Sequence, residues 1–181
     1  LITFTGSVRV GKLIAEKAGY RRTILELGGN APLIIMEDAD LERASSLAVA
    51  GATKNSGQRC TAVKRILAEE SIADVLLEKI VMNASKLKCG NPNDPNTDVG
   101  TVIDESSAIL FEKRVNDAVS LGAKKVFGKK REGALFPPTV IDHVPWNCEL
   151  VMEETFGPAI PIIRFKDIDD AIRIANGTSF G

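Results

Sequence analysis

Short apolar runs alternate with amphipathic stretches along nearly all of the 181 residues, and this alternation limits the possible folds more than any other feature. Leu1–Thr5, Thr23–Leu27, Leu33–Met36, Lys64–Ala68, Lys124–Phe127, Phe136–Ile141 and Ala159–Phe165 read as strands. Between them the helical spacing returns. Gly6-Ser7 opens a helix through Val10, Leu13, Ile14 and Ala18 that Gly19 ends. Asp38-Ala39-Asp40 opens another, with Leu41, Ala44, Leu47, Ala48 and Ala52 on one face. Further helices are expected over Ile72 to about Leu87, Asp104–Leu121 and Asp167–Ala175, and a loop over Asn91–Asn96. An α/β architecture follows. Pro161 cannot donate to a ladder, so it predicts an edge position or a bulge for the last strand. There is no internal repeat and no low-complexity linker.

Composition narrows the function classes. Apolar residues make up 44%, enough to offset chain entropy and exclude a disordered chain. With 23 basic and 24 acidic residues the net charge is −1, which gives no reason to expect nucleic acid or an anionic membrane surface as partner. No apolar run approaches the roughly 20 residues of a membrane helix. Three cysteines without a CxxC pair suggest free thiols in a reducing compartment, expected to be the cytoplasm. One histidine and scattered cysteines give no zinc set, so no metal is expected. The chain opens on strand-like Leu1 and stops in the loop Asn176–Gly181, so it is expected to be part of a longer one.

Three stretches stand apart chemically. In Leu25-Glu26-Leu27-Gly28-Gly29-Asn30 an acid ends an apolar strand before paired glycines. Glycines let backbone approach a ligand closely. A carboxylate in apolar surroundings is pushed up toward the range of a general base. The plain alternative is a solvated Glu26 at a strand end. In Asn55-Ser56-Gly57-Gln58-Arg59-Cys60-Thr61 a cysteine follows a glycine turn and an arginine. A neighbouring cation raises the thiolate fraction, and the turn would set the sulfur in a cleft. The alternative is a buried, inert thiol. In Met152-Glu153-Glu154-Thr155-Phe156-Gly157-Pro158, Glu154 could bind ribose hydroxyls and Phe156 could pack on a flat ring. Alone, this stretch reads rather as a surface turn with a core Phe.

Taken together and in this order, the motifs resemble those of the NAD(P)-dependent aldehyde dehydrogenase superfamily. ELGG resembles its glutamate motif, GQRC its cysteine motif, EETFGP its ribose-binding motif, and Phe4-Thr5-Gly6-Ser7 its strand–helix turn at the cofactor. The resemblance covers essentially the whole chain. It implies an aldehyde dehydrogenase-like catalytic domain over 28–181, truncated at its C-terminus, preceded by residues 1–27 as the tail end of a Rossmann-like cofactor domain. It implies that Cys60 attacks an aldehyde to give a thiohemiacetal, with the oxyanion on the Cys60 N–H and an Asn outside this stretch. Hydride then leaves for NAD or NADP, and Glu26 activates the water that releases the acid from the thioester. Thr5, Gly6, Ser7, Leu27, Gly28, Glu154 and Phe156 fall at the cofactor, with the helix after Gly6-Ser7 facing the pyrophosphate. Gly6 to Gly11 forms no G-x-G-x-x-G. Thr53, seven residues before Cys60, departs from the larger apolar or aromatic residue usual in the family. Homo-oligomers, dimeric or tetrameric, are implied for the complete enzyme, and no activity is expected of these residues alone.

Arg59 speaks to the substrate. A guanidinium beside the nucleophile suits an anionic aldehyde, held bidentately by phosphate, phosphonate or carboxylate. The run from Gly57 to Arg65 resembles phosphonoacetaldehyde dehydrogenases and non-phosphorylating glyceraldehyde-3-phosphate dehydrogenases. Gly28–Pro32, Thr101–Glu105 and Pro161–Phe165 favour the first, and lactaldehyde dehydrogenases are also similar. Arg59 could instead merely tune the thiol. Two readings of other classes stay open: a cysteine hydrolase pairing Cys60 with His143, and a silent structural relative. His143 otherwise reads as a surface-loop residue, Cys89 and Cys148 as structural, Lys129-Lys130-Arg131 as a solvated loop, and Asp38 and Asp40 as capping acids.

Overall fold

The structure, a computed structural model, describes residues 1–180. It opens with β1 (Ile2–Thr5), α1 (Val8–Ala18) and β2 (Thr23–Glu26), a parallel pair of strands that forms its own small sheet. The remaining elements are β3 (Ala31–Ile35), α2 (Leu41–Thr53), β4 (Val63–Glu69), α3 (Ala73–Ser85), α4 (Glu105–Ser120), β5 (Lys124–Phe127), β6 (Thr139–Asp142), α5 (Glu149–Met152), β7 (Ala159–Phe165) and α6 (Ile168–Ala175). They build a five-stranded sheet in the order β3-β4-β7-β6-β5, parallel throughout except for the antiparallel β5–β6 pair.

Alternation along the central strands makes three layers. Ile66, Ala68, Ile160, Ile162 and Val140 join Ala48, Ala52, Leu76 and Ile80 of α2 and α3 in one core. Their neighbours Leu67, Ile163, Phe165 and Ile141 join Phe111 and Val115 of α4 and Ile174 of α6 in the other. Successive side chains leave a strand on opposite faces, so a fully apolar strand feeds two cores at once. The expected acid starts the helices: Asp40 accepts from the Glu42 and Arg43 N–H groups, Asp104 from Ser107, and Asp167 from Asp170.

Three expectations need correction. Pro161 does not mark an edge, because β7 lies at the centre of the sheet between β4 and β6. The pairing with β6 ends at Ile141–Pro161 and that with β4 begins at Ile66–Ile162, so the missing N–H falls at the end of both runs. Strand β6 starts at Thr139 rather than Phe136, since Pro137 and Pro138 cannot donate to a ladder. The turn of helix at Glu149–Met152 was not foreseen; at four residues it is too short to show a period.

Candidate active site

Four segments converge on a cavity of about 580 Å³, lined by Thr5, Gly6, Ser7, Leu27, Gly28, Gln58, Arg59, Cys60, Thr61, Glu154 and Phe156. Every expected site residue except Glu26 is in that wall. The end of β1 and the start of α1 supply Thr5 to Ser7, and the Ser7 hydroxyl caps the helix by accepting from the Val10 N–H at 3.4 Å. Leu27 and Gly28 follow β2. Cys60 lies between α2 and β4, exposed and with a free thiol.

The loop before Cys60 has an unusual backbone. Asn55, Ser56 and Gly57 take φ values of 56°, 53° and 72°, three left-handed residues in succession. Two of them are not glycine, so the turn is held against local strain. Ser56 Oγ donates to the Gly100 carbonyl at 3.1 Å, Asn55 Nδ2 to the Gln58 carbonyl at 3.1 Å, and Gln58 Oε1 accepts from the Ile103 N–H at 2.8 Å. A Cβ at Gly57 would collide with the Gly157 carbonyl, so the Cys60 loop and the Glu154–Pro158 turn nest glycine against glycine. Thr53 is buried and its hydroxyl donates to the Val49 carbonyl at 2.7 Å, which spares a polar side chain the cost of burial where an apolar one is usual.

The glycines after β2 serve a purpose other than ligand approach. A Cβ at Gly29 would run into the Cys60 carbonyl, and one at Gly28 would meet Glu154 Oε2 at 2.5 Å. They let the chain approach itself, drawing the β2 end, the Cys60 loop and Glu154 together. Glu154 Oε1 accepts from the Gly29 N–H at 3.1 Å. The carboxylate is thereby anchored while Oε2 stays available to other donors.

Glu26 departs from expectation. Its side chain is exposed at the end of β2 and does not line the cavity, so the apolar setting expected of it is absent. Only its main chain reaches the site: the Glu26 carbonyl accepts from the Gly6 N–H at 3.0 Å. Arg59 lines the cavity, but Nη2 donates to the Gly51 carbonyl at 3.0 Å and Nε to the Lys54 carbonyl at 3.3 Å. His143 lies 3.5 Å from Asp142 at the end of β6, outside the cavity wall. Cys148 is buried and its thiol is pushed up by that burial, whereas Cys89 is exposed.

Two buried cations escaped sequence reasoning. Lys64 Nζ donates to the carbonyls of Gly57 at 2.7 Å and Thr155 at 3.1 Å, and stands 4.8 Å from the centre of the Phe156 ring. Burial pulls its pKa down to about 8, against the raising pull of Glu154. Arg65 donates to the carbonyls of Asn30, Ile174 and Ala175. The signal was faint: Val63-Lys64-Arg65 reads as the wet start of a strand. Among the described residues no cluster of His, Cys, Asp and Glu could hold a metal, and no helix is long and apolar enough to cross a membrane.

Residues 1–181 match the family described as "Aldehyde dehydrogenase family". The chain is 47% identical over 180 residues to an NADP-dependent glyceraldehyde-3-phosphate dehydrogenase of Streptococcus equinus, covering 99% of this chain and 38% of that protein. It is 45% identical to a lactaldehyde dehydrogenase of Methanocaldococcus jannaschii, covering 100% of this chain and 39% of that protein. The solved NADP complex of the NADP-dependent glyceraldehyde-3-phosphate dehydrogenase from Bacillus halodurans superposes with a TM-score of 0.96 at 43% identity, over 99% of this chain and 38% of that one. The chain thus spans well under half the length of these relatives. It belongs to the aldehyde dehydrogenase family.

Proposed function

We propose that these residues carry the nucleophile and part of the cofactor pocket of an NAD(P)-dependent aldehyde dehydrogenase. The observation that carries the reading is the convergence of Cys60, Glu154, Phe156 and the start of α1 on one cavity. A nicotinamide dinucleotide suits the groups there. Glu154 Oε2 is left to accept from ribose hydroxyls, Phe156 offers a ring that is 39% exposed, and Gly6-Ser7 open a helix whose N-terminus favours phosphate. When bound, that cofactor supplies the oxidant for the aldehyde carbon.

The chain's own residues do the rest. The Cys60 thiolate adds to the aldehyde carbonyl to form the thiohemiacetal, and its main-chain N–H stabilises the oxyanion. After oxidation to the thioester, Glu26 takes a proton from the attacking water. Since the Glu26 side chain is exposed at the end of β2, this step requires it to turn from solvent toward Cys60. Residues 1–27, with their separate two-stranded sheet, are read as the tail of the cofactor domain and 28–181 as the catalytic domain. The complete enzyme is read as a cytoplasmic homo-oligomer, a dimer or tetramer, acting on a small-molecule aldehyde.

The substrate is read as an anionic aldehyde of the phosphonoacetaldehyde kind, with glyceraldehyde 3-phosphate and lactaldehyde as alternatives. Arg59 supports this reading by its place in the cavity wall. A second reading is favoured by its bonds to Gly51 and Lys54: Arg59 fastens the end of α2 and leaves substrate choice to other residues. The experiment is aldehyde-dependent reduction of NAD and NADP by the enzyme that contains this chain, before and after Cys60→Ser, with phosphonoacetaldehyde, glyceraldehyde 3-phosphate, lactaldehyde and propionaldehyde. Loss of all activity in Cys60→Ser is expected. Retained activity would overturn the nucleophile, and activity independent of either cofactor would overturn the reaction class.

A further inference from the structure

Resting on the reading of Cys60 as nucleophile, we propose that Lys64 is a positioning residue whose ammonium ties the Cys60 loop to the Glu154–Phe156 turn and so sets the sulfur's place in the cavity. The two loops it joins are far apart in sequence: Lys64 Nζ donates to Gly57, seven residues before it, and to Thr155, 91 residues after it. Its third neighbour is the ring of Phe156. Lys64 is buried, and among the described residues it forms no salt bridge. An ammonium satisfied only by two carbonyls and a ring is costly to bury, and an apolar side chain of the same length would avoid that cost. The charge is therefore accounted for by what it holds.

What it holds is strained. Gly57 ends the run of three left-handed residues and stands three residues before Cys60. Such a turn persists only while its surroundings over-determine it, and Lys64 joins Gly57 to the Thr155 carbonyl where the bonds of Ser56 to Gly100 and Gln58 to Ile103 tie the turn elsewhere. Release of Gly57 would let the turn relax and carry Cys60 with it. Release of Thr155 would free the turn between Glu154 and Phe156. The charged and titratable groups that face Lys64 are Glu154, Arg59 and Cys60. With its pKa near 8 in place against an ordinary 10.5, Lys64 binds fewer protons in the tied loops than in opened ones, so mild alkali favours the tied state.

The test uses Lys64→Met and Lys64→Arg in the enzyme that contains this chain. Three quantities are measured: kcat and KM, the rate of Cys60 alkylation by iodoacetamide, and amide exchange across Gly57–Cys60 and Thr155–Gly157. Lys64→Met is expected to lower kcat on the order of 10- to 100-fold. It should also change the alkylation rate and speed exchange in both loops, while the centres of β4 and β7 stay protected. Lys64→Arg keeps a cationic donor and should restore part of each. If Lys64→Met does not fold, the wild-type protein still decides. Protection of both loops, corrected for intrinsic exchange, should rise together between pH 7 and 9, because opening that frees Lys64 takes up a proton. Unchanged kcat and loop exchange in Lys64→Met, or wild-type loops indifferent to pH, would overturn the proposal. An enzyme that oxidises no aldehyde would refute the proposed function alone, since exchange and alkylation still report on Lys64.

Discussion

Gly29→Ala puts the arrangement of the site under the most direct stress. A methyl group added there would lie closer than 3.0 Å to the Cys60 carbonyl oxygen, a separation real Cβ atoms essentially never show, and 3.3 Å from the Cys60 carbonyl carbon. The obstructing atom is backbone and cannot rotate aside. Gly29 has no positive φ, so alanine brings no dihedral strain and the effect is purely steric. Relief requires the Cys60 peptide to retreat by about 1 Å, and a shift of that size at a reacting group costs about 100-fold in rate. Overpacking should also cost about 1–3 kcal/mol of stability. Gly28→Ala is the control, because its methyl meets the far end of Glu154, a side chain that can swing away. It should raise KM for the cofactor with a much smaller change in kcat. The assay is steady-state kinetics of both variants beside urea unfolding. A Gly29→Ala enzyme with wild-type kcat would show that Gly29 does not position Cys60.

Three further outcomes are expected. Glu26→Gln should stall after the thioester forms, giving a rapid-quench burst of about one equivalent of reduced cofactor per site and then slow turnover; equal loss in burst and steady state would mean that Glu26 acts earlier. Arg59→Leu removes donors from the Gly51 and Lys54 carbonyls; if fastening is its role, kcat/KM should fall alike for anionic and neutral aldehydes, whereas a selective loss of about 10- to 150-fold for the anionic ones would support the substrate grip. Lys64 has a pKa of about 8 in the folded chain against an ordinary 10.5, so between these values the unfolded chain binds more protons. Its contribution to stability should therefore rise as pH climbs from 8 toward 10.5, read as wild-type stability minus that of Lys64→Met across that range.

The motifs made most of the cavity wall legible because each couples a turn residue to a chemical one. Cys60 behind Gly57, Glu154 and Phe156 before Gly157, and Ser7 behind Gly6 were brought together by the family resemblance, since each stretch taken alone also reads as an ordinary turn. The surroundings of Glu26 differ from the apolar setting expected, for a reason visible in the chain. In β2 the burial alternates, with Thr23 and Leu25 on the covered face and Ile24 and Glu26 on the exposed one. Period-two alternation sets Glu26 opposite its apolar neighbours, so flanking leucines do not make its surroundings apolar. Pro161 failed differently. A strand's rank in the sheet depends on which strands lie beside it, and β4 and β6, both earlier in the chain, flank β7 on its two sides. Lys64 and Arg65 were illegible because their partners, the Thr155 turn and the end of α6, lie some 90 to 110 residues further on.

Those buried cations share a task that bears on Arg59. The chain around Cys60 is irregular, and carbonyls in irregular segments lack the partners a helix or ladder would give them. Long cationic side chains reach such carbonyls from neighbouring elements. Lys64 takes Gly57 and Thr155, Arg65 takes Asn30, Ile174 and Ala175, and Arg114 of α4 takes Glu154 at 2.8 Å while pairing with Glu149. Arg59 follows the same pattern at Gly51 and Lys54, the end of α2, where a cation also meets the negative end of the helix dipole. A charge adjacent to Cys60 in sequence is thus not by itself a charge offered to a ligand in the cavity. Any preference for an anionic aldehyde would have to come from donors that Arg59 does not already spend on the backbone, or from residues outside this stretch. For that reason the aldehyde dehydrogenase assignment and the choice of aldehyde stand on separate observations.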